Sequence, residues 1–84
     1  MSADILRSWL ITRVGAYLDR APADIDTTLP LAEYGLDSLT AVALCADLED
    51  EYGIEADPVL AWDHPSIDAL TAAVTALIDE KAMA

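Results

Sequence analysis

Residues 35–53 read GLDSLTAVALCADLEDEYG, and this stretch predicts one helix with a marked start and a marked end. The helix is expected to run from Ser38 to about Tyr52. Asp37 fits the N-cap position, because its carboxylate can accept from a free amide and suits the positive end of the helix dipole. Gly53 is a suitable C-terminal stop. The predicted core face consists of Ala41, Leu44, Cys45, Leu48 and Tyr52.

Three further segments carry helical patterns. The first runs from about Ala3 to Asp19, and a short one spans 57–62 with a proline near its first position. The last begins after Ser66, which is expected to cap it. The apolar stripe of the first helix is Leu6, Leu10, Val14 and Leu18, with Trp9 and Tyr17 beside it. The stripe of the last helix is Ile67, Leu70, Val74, Leu77 and Ile78.

A long connection at residues 20–37 separates the first two helices. It contains two prolines, and it also carries the apolar residues Ile25, Leu29, Leu31 and Tyr34. A connection of this length in a small domain is usually functional or packed by its own side chains, so we expect it to lie across the domain. No segment alternates as a strand would. The predicted fold class is all-α, a small four-helix bundle of three main helices and one short helix with a long first loop.

Composition restricts the possible functions. The 84 residues are expected to form one domain spanning 1–84, with sixteen acidic residues, four basic residues and a net charge of −12. Nucleic acids and anionic membranes are poor partners for such a chain, because binding them needs clustered Lys and Arg. A single cysteine excludes an internal disulfide. No apolar run approaches the roughly 20 residues of a membrane span, and no signal peptide is visible, so a cytoplasmic location is expected.

Ser38 stands at the predicted helix start without a partner that could activate it. A catalytic serine needs a base within hydrogen-bond reach, and His64 is the only histidine and lies in a turn context. One His, one Cys and scattered carboxylates do not give zinc spacing, and the acidic run 49–51 lacks the pattern of a calcium loop. We therefore predict no catalytic residue and no metal site, and a hydroxyl that another protein modifies.

Several stretches of the chain together resemble acyl carrier proteins. GLDSL at 35–39 resembles the attachment motif of that family, and the helix that follows is similar to the family's second helix. WDHPSI at 62–67 resembles a stretch of polyketide-type carriers, and LAEY at 31–34 fits the connection before the motif. The resemblance implies that Ser38 carries a 4′-phosphopantetheine arm, supplied from coenzyme A by a separate transferase. It also implies that Asp37 helps this transferase to recognise the site.

The resemblance further implies a division of labour with other enzymes. The arm would hold acyl groups as thioesters, and the chain itself would supply tethering without catalysis. Expected partners are the phosphopantetheinyl transferase and a loading enzyme, acyltransferase or ketosynthase acting in trans. The candidate docking residues around the arm are Leu36, Leu39, Val42, Ala43, Ala46 and Asp47. Three other residues have structural interpretations: Cys45 and Trp62 as core residues, and His64 as a turn residue.

Three departures from related carrier classes favour polyketide biosynthesis. Leu36 replaces the second glycine usual in peptidyl carriers, while Thr40 and Ala43 make this helix less acidic than in primary fatty-acid carriers. A peptidyl or aminoacyl carrier of a nonribosomal or hybrid pathway and a primary fatty-acid carrier stay open as alternatives. An unmodified acidic helical adaptor for a basic partner is a different class. Met1 and the lack of long flanking linkers suggest a discrete protein, although an excised domain with an added start codon would look the same. The protein is expected to be a monomer.

Overall fold

The computed structural model of the chain describes residues 2–83, so Met1 and Ala84 lie outside the described residues. It contains four α-helices: α1 (Ala3–Leu18), α2 (Ser38–Tyr52), α3 (Val59–Asp63) and α4 (Ile67–Met83). Two short 3-10 turns, Pro22–Asp24 and Leu31–Tyr34, lie between α1 and α2, and no strand occurs within residues 2–83. The predicted all-helical bundle with one short helix is confirmed, and α2 has the predicted bounds.

The core is aliphatic and is built from one stripe on each long helix. Residues with no more than 1% of their surface exposed are Leu6, Leu10, Val14, Leu31, Leu44, Cys45, Leu48, Ala41, Ala61, Ile67, Leu70 and Val74. The predicted stripes of α1, α2 and α4 are therefore confirmed at their centres. The residues at the ends of those stripes, Leu18, Tyr52, Leu77 and Ile78, pack against this core and are only partly buried.

Helices α1 and α2 run antiparallel. Trp9 in the first half of α1 meets Tyr52 at the end of α2, with ring centroids 5.4 Å apart in an edge-to-face arrangement. Tyr17 at the end of α1 donates a hydrogen bond to Asp47 in the middle of α2. These contacts place the start of α2 beyond the end of α1, where the long connection enters.

Backbone hydrogen bonds hold the long connection to the start of α4. The Leu31 amide donates to the Pro65 carbonyl at 2.7 Å, and the Asp68 amide donates to the Thr27 carbonyl at 3.0 Å. Leu31 and Ile25 are buried, which confirms that this segment packs across the domain. The prediction was wrong for Leu29, which lies in a turn and is 38% exposed.

The predicted helix ends are formed by the predicted residues. The Ser66 hydroxyl accepts from the Ala69 amide at 3.1 Å and caps α4. Gly53 follows α2 with φ of 64°, in the left-handed region where glycine carries no steric cost. Pro58 directly precedes α3. Each of these ends is decided by a local side chain or backbone angle, and each was predicted correctly.

Helix α3 corrects one prediction and confirms two. Trp62 is 47% exposed and is not a core residue, because the inner side of this five-residue helix is taken by Ala61 and the half-buried Leu60. His64 ends the helix and its amide donates to the Leu60 carbonyl at 3.0 Å, as expected of a turn residue. Cys45 is buried beneath this region, and burial raises the pKa of its thiol.

None of the helices within residues 2–83 combines the length and the apolar composition that crossing a bilayer requires.

Candidate functional site

Ser38 is the first residue of α2 and its side chain is exposed. Asp37 before it has extended backbone, and its carboxylate accepts from the Thr40 amide at 2.8 Å. The hydrogen bonds from Thr40 lower the pKa of Asp37, so the cap is a carboxylate at neutral pH. The predicted N-cap is confirmed, and it fixes the turn of backbone from which the serine hydroxyl projects.

The loop before the serine turns inward and then outward. Gly35 has φ of 93°, in the region that favours glycine, and apart from Gly35 and its two chain neighbours no atom lies within 4 Å of the place a Cβ would occupy. The next residue, Leu36, is only 7% exposed and belongs to the core. Leu36 is thus buried beneath the site and holds the loop to the core, and its predicted role in docking stays a prediction.

The surroundings of Ser38 fit a covalently attached phosphate group. No hydrogen bond within the described residues 2–83 occupies the Ser38 side chain. The open space at Gly35 leaves room on the loop side. A phosphate ester on this hydroxyl would lie at the start of a 15-residue helix, where free amides and the helix dipole favour negative charge.

An apolar outer face continues along α2 from the serine. Leu39 is 78% exposed, Val42 is 47% exposed, and Ala46 is also exposed. Their spacing of three and four residues puts them in one line on the helix surface. Ala43 beside this line is half-buried. The predicted docking set thus has three exposed members, and their role in docking stays a prediction.

Two exposed apolar residues of α3 were missed by the sequence analysis. Val59 and Trp62 are each about half exposed and lie three residues apart, on one side of their short helix. The Cys45 thiol on α2 approaches the Asp57 carbonyl at 3.6 Å, so α3 lies directly beside α2. A five-residue helix cannot bury apolar residues on all sides, and that brevity was the available signal.

Asp47 lies beside the exposed apolar line of α2, and its predicted docking role stays a prediction. It is half-buried on the side of α2 that faces α1, where the Tyr17 hydroxyl donates to it. Arg13 also pairs with this carboxylate at 3.8 Å. The hydrogen bond to Asp47 raises the pKa of the Tyr17 hydroxyl, because the neutral phenol is the donor. Asp47 therefore lies at the α1–α2 seam.

The segment of sequence that carries the site is acidic. Residues 21–80 contain fourteen acidic residues and no Lys or Arg. Two of the arginines are engaged by carboxylates, Arg7 with Asp4 and Asp68, and Arg13 with Asp47. A partner approaching Ser38 therefore meets an acidic surface with an apolar line through it.

The sequence of the chain matches a known protein family that is defined by such a site. Residues 8–74 match the family described as "Phosphopantetheine attachment site". The chain belongs to this family. Its members are carrier domains that bear 4′-phosphopantetheine and work with synthase and transferase partners. The predicted family and cofactor are confirmed.

Two polyketide synthases resemble the carrier domain in sequence. The chain is 37% identical over 71 residues to a phenolphthiocerol/phthiocerol polyketide synthase of Mycobacterium tuberculosis. This match covers 84% of the chain and 4% of the synthase. The chain is 42% identical over 65 residues to a highly reducing polyketide synthase of Pyricularia oryzae, a match that covers 77% of this chain and 2% of that protein. The carrier domain thus spans a small fraction of the length of these relatives.

Two solved structures of carriers resemble the domain in fold and sequence. A free-standing peptidyl carrier protein from a secondary metabolic pathway of Acinetobacter baumannii has a TM-score of 0.86 and 32% identity, covering 89% of this chain and 94% of that one. The acyl carrier protein LipD of Actinoplanes friuliensis has a TM-score of 0.74 and 47% identity, covering 92% and 86%. Both peptidyl and acyl carriers therefore share this fold.

The Asp37 cap predicts a dependence of stability on pH. A carboxylate whose pKa is lowered by folding stabilises the protein above its unfolded pKa, and this contribution is lost as pH falls through the folded pKa. For Asp37 that loss occurs below its ordinary value of 3.8. We expect wild type to have a higher thermal midpoint than Asp37→Asn near neutral pH. The gap should close in acid, since asparagine keeps the cap without the charge. A gap of equal size at every pH would contradict this prediction.

Proposed function

We propose that the chain is an acyl carrier for polyketide-type biosynthesis, with 4′-phosphopantetheine attached to Ser38. The observation that carries the proposal is an exposed serine hydroxyl at the capped start of α2, inside the segment that matches the attachment-site family. The likeness to two polyketide synthases supports this pathway class. Residues 1–84 would act as one carrier domain and as a monomer.

Each residue of the site has a defined task in this function. The Ser38 oxygen forms the bond to phosphorus as coenzyme A loses its nucleotide, and a base of the transferase takes the serine proton. Asp37 holds the first turn of α2 and presents the serine to that enzyme. Once attached, the arm supplies a thiol that holds the acyl group as a thioester. Tethering keeps this group at high local concentration near each partner.

The chain itself would supply no catalysis. Activation of the serine, loading of the acyl group and chain extension are assigned to the transferase, an acyl-loading enzyme or acyltransferase, and a ketosynthase acting in trans. The acidic surface of residues 21–80 supports partners with basic docking faces, because opposite charge speeds their encounter. A cytoplasmic location is part of the same proposal.

A second candidate is an aminoacyl or peptidyl carrier. It is favoured by the likeness to the free-standing peptidyl carrier protein of Acinetobacter baumannii. The attachment chemistry at Ser38 would be the same, and only the loading enzyme and cargo would differ. The mass of the acyl group on protein isolated from its host separates the two candidates.

Intact-mass measurement tests the proposed attachment. The purified chain is incubated with coenzyme A and a promiscuous phosphopantetheinyl transferase. We expect the mass to rise by one phosphopantetheine, and fragment masses to localise it to the peptide that contains Ser38. The same mixture without coenzyme A is the control. An unchanged mass with an active transferase would contradict the proposal and favour an unmodified adaptor.

The docking role of the apolar line predicts a kinetic effect. Truncating Leu39 to alanine, or replacing Val42 with aspartate, should lower kcat/KM of the transferase for phosphopantetheine loading about 5- to 30-fold. A loss of this size is expected when a central apolar contact of an interface is removed. Both side chains are exposed, so the helical circular dichroism should not change. Ile5→Ala, at an exposed isoleucine of α1, is the matched control and should load at the wild-type rate. Equal rates for all three variants would remove these residues from the docking surface.

A further inference from the structure

A polar and aromatic network closes the seam between α1 and α2. Arg13 lies at its centre, with its guanidinium 5.1 Å from the Trp9 ring centroid and its Nε 3.8 Å from the Asp47 carboxylate. The Tyr17 hydroxyl donates to the same carboxylate, and Trp9 meets Tyr52 edge to face at 5.4 Å. Three residues of α1 therefore hold two residues of α2.

The two points of attachment on α2 are separated along the helix. Asp47 and Tyr52 are five residues apart, which is about 7.5 Å of helix length. One contact point would leave a helix free to swing, while two points at different heights restrict its tilt. Because each side chain leaves the helix in a fixed direction, the same two points restrict rotation of α2 about its own axis.

That rotation decides what α2 presents to solvent. Successive residues are about 100° apart around a helix, so Asp47 lies roughly a quarter-turn from the Leu39–Val42–Ala46 line. A small rotation towards α1 would carry this line towards the seam and turn the exposed start of α2 with it. The buried face of α2 is aliphatic, and apolar packing is less directional than a hydrogen bond and an ion pair.

We propose that Asp47 is a positioning residue that clamps α2 to α1 through Tyr17 and Arg13, and thereby sets the orientation in which Ser38 and the Leu39–Val42–Ala46 line meet partner enzymes. The proposal rests on the carrier function assigned to Ser38. It replaces the predicted role of Asp47 as a docking charge. Arg13 and Tyr17 occupy its carboxylate, whereas the neighbouring acids Glu49, Asp50 and Glu51 are exposed.

Tyr17 provides the discriminating variant, because it lies on α1 and its hydroxyl donates to Asp47 of α2, so Tyr17→Phe removes this hydrogen bond and keeps the ring. Tyr17→Phe, Asp47→Asn and the double variant are compared with wild type by the kinetics of phosphopantetheine loading by the transferase. We expect each single variant to raise KM by a similar factor, about 2- to 5-fold, with kcat unchanged. The double variant should raise KM by less than the product of the two single effects, since both variants act at the same carboxylate, which Tyr17 and Arg13 share.

Asp47→Glu separates a clamp from a docking charge. It keeps the negative charge but places the carboxylate one methylene further out, so the clamp predicts a raised KM and a docking charge predicts wild-type KM. The proposal is overturned if Tyr17→Phe and Asp47→Glu both load like wild type while Asp47→Asn does not. It is also overturned if all three variants load like wild type.

A spectroscopic measurement tests the clamp independently of loading. In Tyr17→Phe, amide chemical shifts should change along residues 38–46 of α2, because the helix settles in a slightly different orientation. Shift changes confined to the neighbours of the substituted residue and of Asp47 would overturn the proposal. If wild type fails to load, the attachment proposal fails, and these shifts still decide whether the clamp exists.

Discussion

Ser38→Ala should abolish phosphopantetheine loading completely while leaving the bundle folded. The expected loss is total because the serine oxygen is the atom that would bond to phosphorus, and alanine offers no substitute. Ser38 is exposed and its side chain makes no hydrogen bond within residues 2–83, so its removal should change the free energy of unfolding by at most about 1 kcal/mol. Intact mass after incubation with transferase and coenzyme A measures the first effect, and urea unfolding measures the second.

Ser8→Ala is the matched control for this variant. Ser8 is also an exposed serine on a helix, α1, and its loss should leave both loading and stability unchanged. A mass gain retained in Ser38→Ala would assign the attachment to another hydroxyl. Unfolding of Ser38→Ala would mean that the serine has a structural role in starting α2.

Local sequence signals predicted the helix ends well. Asp37, Ser66 and Gly53 act through hydrogen bonds or backbone angles within four residues of themselves, so their effect can be read from a short stretch. The apolar stripes of α1, α2 and α4 were also predictable, because a period of 3.6 residues identifies the side of a helix that is buried. The start of α2, which is the core of the site, is local in this sense.

Features that depend on how elements meet were not predictable in the same way. Trp62 was expected in the core, but the inner side of α3 is filled by smaller residues and the indole is left outside. Leu36 was expected at the surface, but the positive φ of Gly35 turns it inward. Asp47 was expected to face partners, and only the antiparallel packing of α1 against α2 reveals that Tyr17 and Arg13 reach it.

The corrected site is therefore smaller and more specific than the predicted one. Its exposed apolar line consists of Leu39, Val42 and Ala46, with Val59 and Trp62 of α3 nearby. Its acidic residues fall into three groups. Asp37 caps α2, Asp47 clamps α2 to α1, and Glu49, Asp50 and Glu51 are exposed further along α2. Charge and exposed apolar side chains thus come from different positions of one helix, so in the proposed function partners would be attracted by the first and aligned by the second.

The core beneath this helix predicts the largest effect on stability. Leu44 is fully buried at the centre of α2, and truncation to alanine removes its packing and leaves a cavity, which costs about 2–5 kcal/mol. A domain of this size is expected to have about 4–13 kcal/mol of stability in total, at roughly 0.05–0.15 kcal/mol per residue. Leu44→Ala should therefore shift the urea midpoint strongly and populate the unfolded state measurably at physiological temperature.

Leu39→Ala shows whether the stability loss of Leu44→Ala comes from lost burial or from a change in helix propensity. It makes the same truncation five residues earlier on the same helix. Leu39 is exposed, so its loss should change the unfolding free energy by no more than about 0.5 kcal/mol. The two variants should then behave in opposite ways: Leu44→Ala unfolds readily, whereas Leu39→Ala stays folded and loads poorly. Similar stability losses in both would mean that α2 is not oriented with Leu44 inside and Leu39 outside. The proposal that the Leu39–Val42–Ala46 line docks partners would then lose its structural basis.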